Sequence, residues 1–454
     1  MKKHIRLNAF ALVAASHLSA GMWRHPRDKS RQYNDIETWI ELVKILERGK
    51  FDGLFLADGI GMYDVYRGSV DHAIALGAQF PSLDPVVLVS ALARETTGIG
   101  FGITSSVSYE PPFTFARRMS TLDHLTNGRV GWNIVTSFGD IGAKALGRGA
   151  ARAHGDRYDL ADEYMSIVYA LWEKSWGDGA IQKNSETGVF TDPEKVKLVT
   201  HHGRYFDMEA RHTSEPSPQR TPLLYQAGSS TRGRAFAARH AECVFVSAPS
   251  KRVVREIVTD VRAQAKALGR DPADILFFAL MTVIPGRTQA DAEQKLEEYR
   301  EFTSKEGTLT LFSGWTGIDL SRLSDGDVIE YVKNETMQST IEGFTIADPS
   351  RKWTLDDIVK HAAIGGKGPV VVGDPTQVAD EFEAWIEETD IDGFNLSYAV
   401  LPESFEDFVD LVVPELQRRN IYKTDYADGV LREKLYGPGR QHLPADHPGL
   451  REVP

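Results

Sequence analysis

The chain has 454 residues, 42% hydrophobic and 26% charged, with one cysteine and a formal net charge of −12 at pH 7. That is enough material for a large soluble core, and the acidic balance, with no basic stripe to offset it, argues against a nucleic-acid or anionic-membrane partner. The lone Cys243, set in an apolar run, leaves no disulfide framework or thiolate metal site and fits a reducing, cytoplasmic setting.

Lys2 and Lys3 precede a short apolar run that mimics a secretory signal. Asn8 and His17 bound it, and Trp23-Arg24-His25-Pro26 follows without a cleavage site, so it reads as a first strand instead. No apolar run of about twenty residues is present to span a membrane. Short β-branched and aromatic runs predict strands over 5–12, 53–57, 99–103, 130–135, 223–227, 243–247, 275–284 and 393–399. Segments of helical periodicity lie between them, over 36–47, 85–95, 113–125, 158–172, 232–239, 251–268, 289–302 and 376–386, with 405–418 after the last strand. Eight such alternations predict an α/β fold whose parallel sheet closes, a (β/α)8 or TIM barrel, as one domain over 1–454. Long insertions at 175–221 and 304–352 interrupt it and are expected to serve as lids or as contacts in a homodimer or homotetramer. The polar, Pro/Gly-rich tail over 422–454 is expected to wrap the surface.

Four of the strands run straight into small polar residues: Asp58; Thr104, Ser105 and Ser106; Thr136 and Ser137; Gly228, Ser229 and Ser230. Polar groups gathered past buried strand ends imply one shared site, at the C-terminal mouth of the barrel. Asp58 reads as a general base, a ligand acceptor or a helix cap, with Gly59 and Gly61 allowing close backbone approach. Gln226-Ala227-Gly228-Ser229-Ser230-Thr231 turns a strand through glycine into a helix whose first turn offers N–H groups and hydroxyls, a combination that binds phosphate. It is not a P-loop, and Gly98-Ile99-Gly100-Phe101-Gly102 lies within a strand rather than opening a helix, so no nicotinamide fingerprint is present. The histidines show no metal spacing, and no metal is expected. His17 and His154 each fall where a barrel loop aims them at the mouth.

Larger motifs are more specific. Gly49-Lys50-Phe51-Asp52 with Leu54-Phe55-Leu56-Ala57-Asp58, Ala116-Arg117-Arg118-Met119-Ser120, Gly131-Trp132-Asn133-Ile134-Val135-Thr136-Ser137, Arg157-Tyr158-Asp159-Leu160-Ala161-Asp162-Glu163-Tyr164 and Gln226-Ala227-Gly228 together resemble the bacterial luciferase-like flavin monooxygenases. The branch is that of the nitrilotriacetate, dibenzothiophene sulfone, dimethyl sulfide and long-chain alkane enzymes, and the likeness runs to Leu431-Arg432-Glu433-Lys434-Leu435. The resemblance implies a monooxygenase that takes reduced FMN from a separate NAD(P)H-dependent flavin reductase and uses O2 to oxidise a small organic substrate. Carried over by position, Asp58, Thr104, His154, Tyr158, Ser229 and Ser230 are the expected FMN contacts, the last three at the phosphate.

The substrate residues depart from the pattern. Members acting on alkanes or dimethyl sulfide carry Cys at the position of Ala14, and the alkane type carries His at the positions of Phe138 and Leu311, while His17, Tyr63 and Gln79 are kept. Apolar Ala14, Phe138 and Leu311 imply a drier pocket suited to an apolar or heteroaromatic substrate. His17 is expected to transfer a proton there because an unperturbed imidazole titrates near neutrality, with Tyr63 and Gln79 orienting the substrate. Riboflavin-cleaving enzymes belong to the same branch, and oxidative cleavage of riboflavin to lumichrome is the sharpest specific expectation, beside alkane, sulfide or sulfone oxidation. A deazaflavin-dependent dehydrogenase or a flavin-binding protein without turnover would share the barrel.

Overall fold

The computed structural model describes residues 3–137, 139–332, 338–347 and 351–451. Among them, eight parallel strands close into a barrel: β1 (Arg6–Leu12), β2 (Gly53–Ala57), β3 (Gly100–Ser106), β4 (Val130–Val135), β5 (Leu223–Gln226), β6 (Cys243–Val246), β7 (Leu276–Pro285) and β8 (Gly393–Ser397). Each pairs with the next in sequence, and β8 returns to β1 with Asn8 opposite Asn395. The period of two sends Leu7, Ala9 and Ala11 out to the helices and Phe10 into the barrel. Inside, Phe10, Phe55, Tyr225 and Phe245 form a continuous aromatic layer, with ring centroids 5.1 Å apart for Phe10 and Phe55, 4.2 Å for Phe55 and Phe245 and 5.1 Å for Tyr225 and Phe245. Gly131 makes room for it, since a Cβ there would stand 2.5 Å from the Tyr225 ring.

The outer ring includes α1 (Ile36–Arg48), α2 (Pro85–Arg94), α3 (Pro112–Leu125), α4 (His154–Tyr169), α5 (Thr231–His240), α6 (Lys251–Ala267) and α7 (Gln289–Phe302). In α6 the buried face is Val253, Val254, Ile257, Val258, Val261 and Ala265, a helical stripe whose larger members each contribute roughly 1.5–3 kcal/mol by burial. Asp35 and Asp84 cap α1 and α2 by accepting from Glu37 and Val86 N–H.

Both insertions and the tail differ from expectation. The first insertion folds two hairpins, Ile181–Asn184 with Val189–Thr191 and Val199–His202 with Asp207–Ala210. In the second, α8 (Lys305–Thr316) is buried on every side from Gly307 onward. Its Gly, Ser and Thr content reads as loop in sequence, but small residues let it press against neighbours: Gly314 lies flat on the Tyr63 ring, where a Cβ has no room. A strand absent from the sequence reading, Val370–Gly373, pairs outside the barrel with the end of β7.

The tail does not merely wrap the surface. Its helix Leu431–Tyr436 plugs the N-terminal end of the barrel, with Leu431 and Leu435 joining the interior cluster of Leu223, Cys243, Leu276 and Phe278. Strand starts hold it there: Arg6 Nη2 donates to the Leu435 carbonyl at 2.7 Å, and Lys434 Nζ and Tyr436 Oη donate to the carbonyls of Gly98 and Glu242 at 2.7 and 2.6 Å. Arg432, nearly out of solvent, pairs with Glu242 at 2.6 and 3.0 Å. No helix among the described residues is long and apolar enough to cross a membrane.

Candidate active site

With one end plugged, the opposite mouth opens into a cavity of about 450 Å³, the size of a small-ligand site. Strand ends β1, β2, β4, β5, β6, β7 and β8 all reach it.

One half is built on the β5–α5 turn. Ser230 caps α5, its Oγ accepting from Gly233 N–H at 3.1 Å, and lies 3.4 Å from His154 Nε2 at the start of α4. Tyr158, one turn further along α4, reaches the same hydroxyl; burial raises its phenol above the ordinary value, and the bond to Ser230 partly offsets this. Gly228 and Gly233 leave space for that phenol, since a Cβ on either would approach Tyr158 Oη to 2.6 and 2.9 Å. Hydroxyls, an imidazole and the electropositive start of a helix thus converge on one point, and that donor set fits a phosphate group. Ser229, His154 and Tyr158 line the cavity with Ser230.

Asp58 also lines it, at the end of β2. Burial and the neighbouring Asp84 carboxylate push its pKa up to about 6, against the opposing effect of the Gly59 N–H. Thr104 does not join them. It lies within β3, buried, and its Oγ1 accepts from Asn133 Nδ2 at 3.0 Å, while Ser106 accepts from Ser137 Oγ at 2.7 Å. The hydroxyl run of β3 thus braces β4.

The other half holds His17, Tyr63 and Gln79. Gln79, in the left-handed region at φ 56°, donates through Nε2 to the His17 carbonyl at 3.0 Å and accepts from Tyr63 Oη at 2.8 Å; Trp315 Nε1 in turn donates to Tyr63 at 3.0 Å. Burial pushes the Tyr63 phenol up to about 12. These side chains spend their hydrogen bonds on the wall itself. His17 is wedged by the edge of Phe10, with centroids 4.4 Å apart, and by Tyr398 at 5.7 Å, and its buried Nδ1 has no hydrogen-bond partner among the described residues. Burial drives its pKa down to about 3, so the expectation of a near-neutral titration is corrected: the imidazole is neutral at physiological pH.

Ala14 and Leu311 do not line the cavity either. Ala14 pairs with Ser82, which takes the lining position, and Leu311 is packed in the cluster of Phe312, Trp315 and Ile358. Phe138 lies outside the described residues. Sequence reasoning missed Trp315, Lys367 and Asn395, which do line the cavity. A lysine between glycines at 365–368 and an asparagine inside an apolar strand were the available signals.

The chain matches the family described as luciferase-like monooxygenase over residues 16–393. It is similar to the dimethyl-sulfide monooxygenase of Hyphomicrobium sulfonivorans, 46% identical over 451 residues that cover 99% of this chain and 94% of that protein. The long-chain alkane monooxygenase of Geobacillus thermodenitrificans is 45% identical over 451 residues, covering 99% of this chain and 98% of its own. Among solved structures, a riboflavin lyase described with modified FMN and riboflavin superposes with a TM-score of 0.93 at 34% identity, over 100% of both chains.

Proposed function

Because the chain belongs to the luciferase-like monooxygenase family and is a flavin-dependent monooxygenase, we propose that it uses reduced FMN delivered by a separate NAD(P)H-dependent reductase, with O2, to oxidise a small apolar or heteroaromatic compound. The observation that carries this is the convergence of Ser229, Ser230, His154 and Tyr158 on the start of α5. Those residues would hold the phosphate, and Phe10, Phe55, Phe245 and Asp58 would line the remainder of the cofactor's space. Reduced FMN supplies the electrons that activate O2.

The protein's own contribution is dryness and position. Apolar Phe10, Leu18, Phe80 and Leu280 keep water from the reacting atoms, and the Trp315–Tyr63–Gln79 chain fixes the substrate wall without stray proton donors. Neutral His17 offers a hydrogen bond rather than a positive charge.

The specific reaction we infer is cleavage of riboflavin to lumichrome, supported by the aromatic lining and by the likeness to the lyase structure. Sulfide, sulfone or alkane oxidation is the second reading, favoured by the closed hydrogen bonding of Tyr63, which suits a substrate without polar handles. The test is O2-dependent depletion of riboflavin, alkyl sulfides, sulfones and alkanes with a generic flavin reductase and NADH present. Lumichrome formation supports the first reading and sulfoxide or alcohol formation the second. NADH oxidation at catalytic rates by the purified protein alone would overturn the two-component reading.

A further inference from the structure

The cradle is one end of a longer contact between two helices. His154, Tyr158 and Asp162 stand four residues apart on α4, and Gly233, Phe236 and His240 three and four apart on α5, so each set shares one helical face. The faces meet along their length: the Phe236 ring centroid lies 5.6 Å from that of Tyr158 and 4.6 Å from that of His240. Buried His240 closes the far end, with Nε2 3.0 Å from Asp162 Oδ1 and Nδ1 3.2 Å from Tyr169 Oη, both partners on α4. The tail adds a third hold. His447, fully buried, has Nε2 3.0 Å from the His240 carbonyl and its ring centroid 5.7 Å from that of Tyr169. Gly449 follows and lies on the Tyr169 ring, where a Cβ would come within 2.7 Å.

Donors and acceptors in this chain of groups match one to one. Burial holds both imidazoles below the ordinary histidine value, for His240 against the opposing bond to Asp162, so each is neutral at pH 7 and carries one N–H. A carbonyl and a carboxylate only accept, so His447 Nε2–H donates to the His240 carbonyl and His240 Nε2–H to Asp162. The Tyr169 hydroxyl then donates to His240 Nδ1, and Gly449 N–H to His447 Nδ1 at 3.1 Å. A buried network satisfied in this way fixes one arrangement of the elements that carry it. The ten residues of α5 set His240 about 15 Å from the Ser230 cap, and a ligand held from two helices needs its contacts kept within about 0.5 Å. Resting on the reading of this helix start as the flavin phosphate site, we propose that His240 is a positioning residue for the cofactor: with Asp162, Tyr169 and the tail's His447 it locks α4 to α5 so that His154, Tyr158 and Ser230 keep the spacing a phosphate requires.

The experiment titrates FMN and riboflavin, which differ only by the phosphate, into wild type, Asp162→Ala, Asp162→Asn and the double variant His240→Phe with Tyr169→Phe, following flavin fluorescence. The double variant keeps the rings and strands no buried hydroxyl, and Asp162 retains Arg232 Nη2 at 3.6 Å. Wild type is expected to bind FMN at least about tenfold more tightly than riboflavin, a preference largely lost in Asp162→Ala and in the double variant, with riboflavin affinity unchanged. Asp162→Asn is expected to keep it, because an amide oxygen still accepts from His240 Nε2–H. Inorganic phosphate, which probes the cradle without the ring, should compete with FMN less well in the two variants that lose the preference. FMN and riboflavin affinities falling in equal proportion would show general loosening and overturn the proposal. An undiminished preference in Asp162→Ala and the double variant, or its loss in Asp162→Asn, overturns it as well. Should the double variant not fold, Asp162→Ala, a change at a partly exposed side chain, decides alone. No preference for FMN in wild type would instead bring down the phosphate reading itself, and the proposal with it.

Discussion

Ser230 Oγ and His154 Nε2 lie 3.4 Å apart, and through them the N-terminal ends of two helices, α5 and α4, meet at one point of the cavity. Each helix start carries partial positive charge, so their meeting makes an anion site with little formal charge.

Substitutions at Ser230 separate the cap from the ligand. Ser230→Ala removes the acceptor for Gly233 N–H and should cost about 1 kcal/mol of stability, together with a roughly tenfold to hundredfold loss of FMN affinity. Ser230→Asp keeps a good cap but sets a carboxylate where the phosphate belongs. Its melting temperature should match wild type while FMN affinity falls further than in the Ala variant. Fluorescence titration and thermal melting on one preparation check both.

Asp58 gives a pH signature. Its native pKa of about 6 lies above the unfolded value of about 3.9, so between them the native state binds more protons than the unfolded chain. Its contribution to stability is therefore greatest below about pH 4 and is lost as pH rises through about 6. Asp58→Asn removes this dependence, and melting curves from pH 4 to about 8 should show the variant gaining on wild type toward the upper end. An unchanged difference across that range would place Asp58 in an ordinary solvated setting.

For His17 the sign is opposite. With its native pKa near 3 and the unfolded one near 6.5, the unfolded chain takes up the proton first, so stability falls as pH drops below about 6.5 toward 3. His17→Asn should flatten that loss. Because the imidazole is neutral in the working range, the variant should keep turnover within about tenfold, the scale of one hydrogen bond. A loss of about 10²- to 10⁴-fold, with FMN affinity intact, would show instead that the ring carries a proton during turnover.

Breaking the ion pair of the plug should be the largest stability effect. Arg432→Met leaves Glu242 buried and charged, which costs about 3–5 kcal/mol. Combining it with Glu242→Gln removes the stranded charge and should recover part of that loss. Urea unfolding of the two variants measures the difference.

The strands were legible because each is a short apolar run, four of them ending in small polar residues, and the β5–α5 cradle was legible because glycine, serine and a helix start have one chemistry together. What sequence could not show was burial. His17 looks like any histidine until Phe10 and Tyr398 close on it, and α8 looks like a loop because the small residues that let it pack on Tyr63 are also turn residues. Thr104 matched its motif by position, yet the register of β3 against β4 commits it to Asn133. The polar tail hid two leucines, Leu431 and Leu435, whose spacing on one helical turn is too short a pattern to announce a plug.

That plug also sets an order of events in the making of the protein. Leu431 and Leu435 are translated after all eight strands, so a chain still being synthesised can close its barrel while Leu223, Cys243, Leu276 and Phe278 remain wet from beneath. Such an underside is the kind of apolar surface that draws nascent chains into aggregates or onto chaperones. The Arg432–Glu242 pair, carried on the same segment, then acts as a latch that engages only after the eight strands have been made.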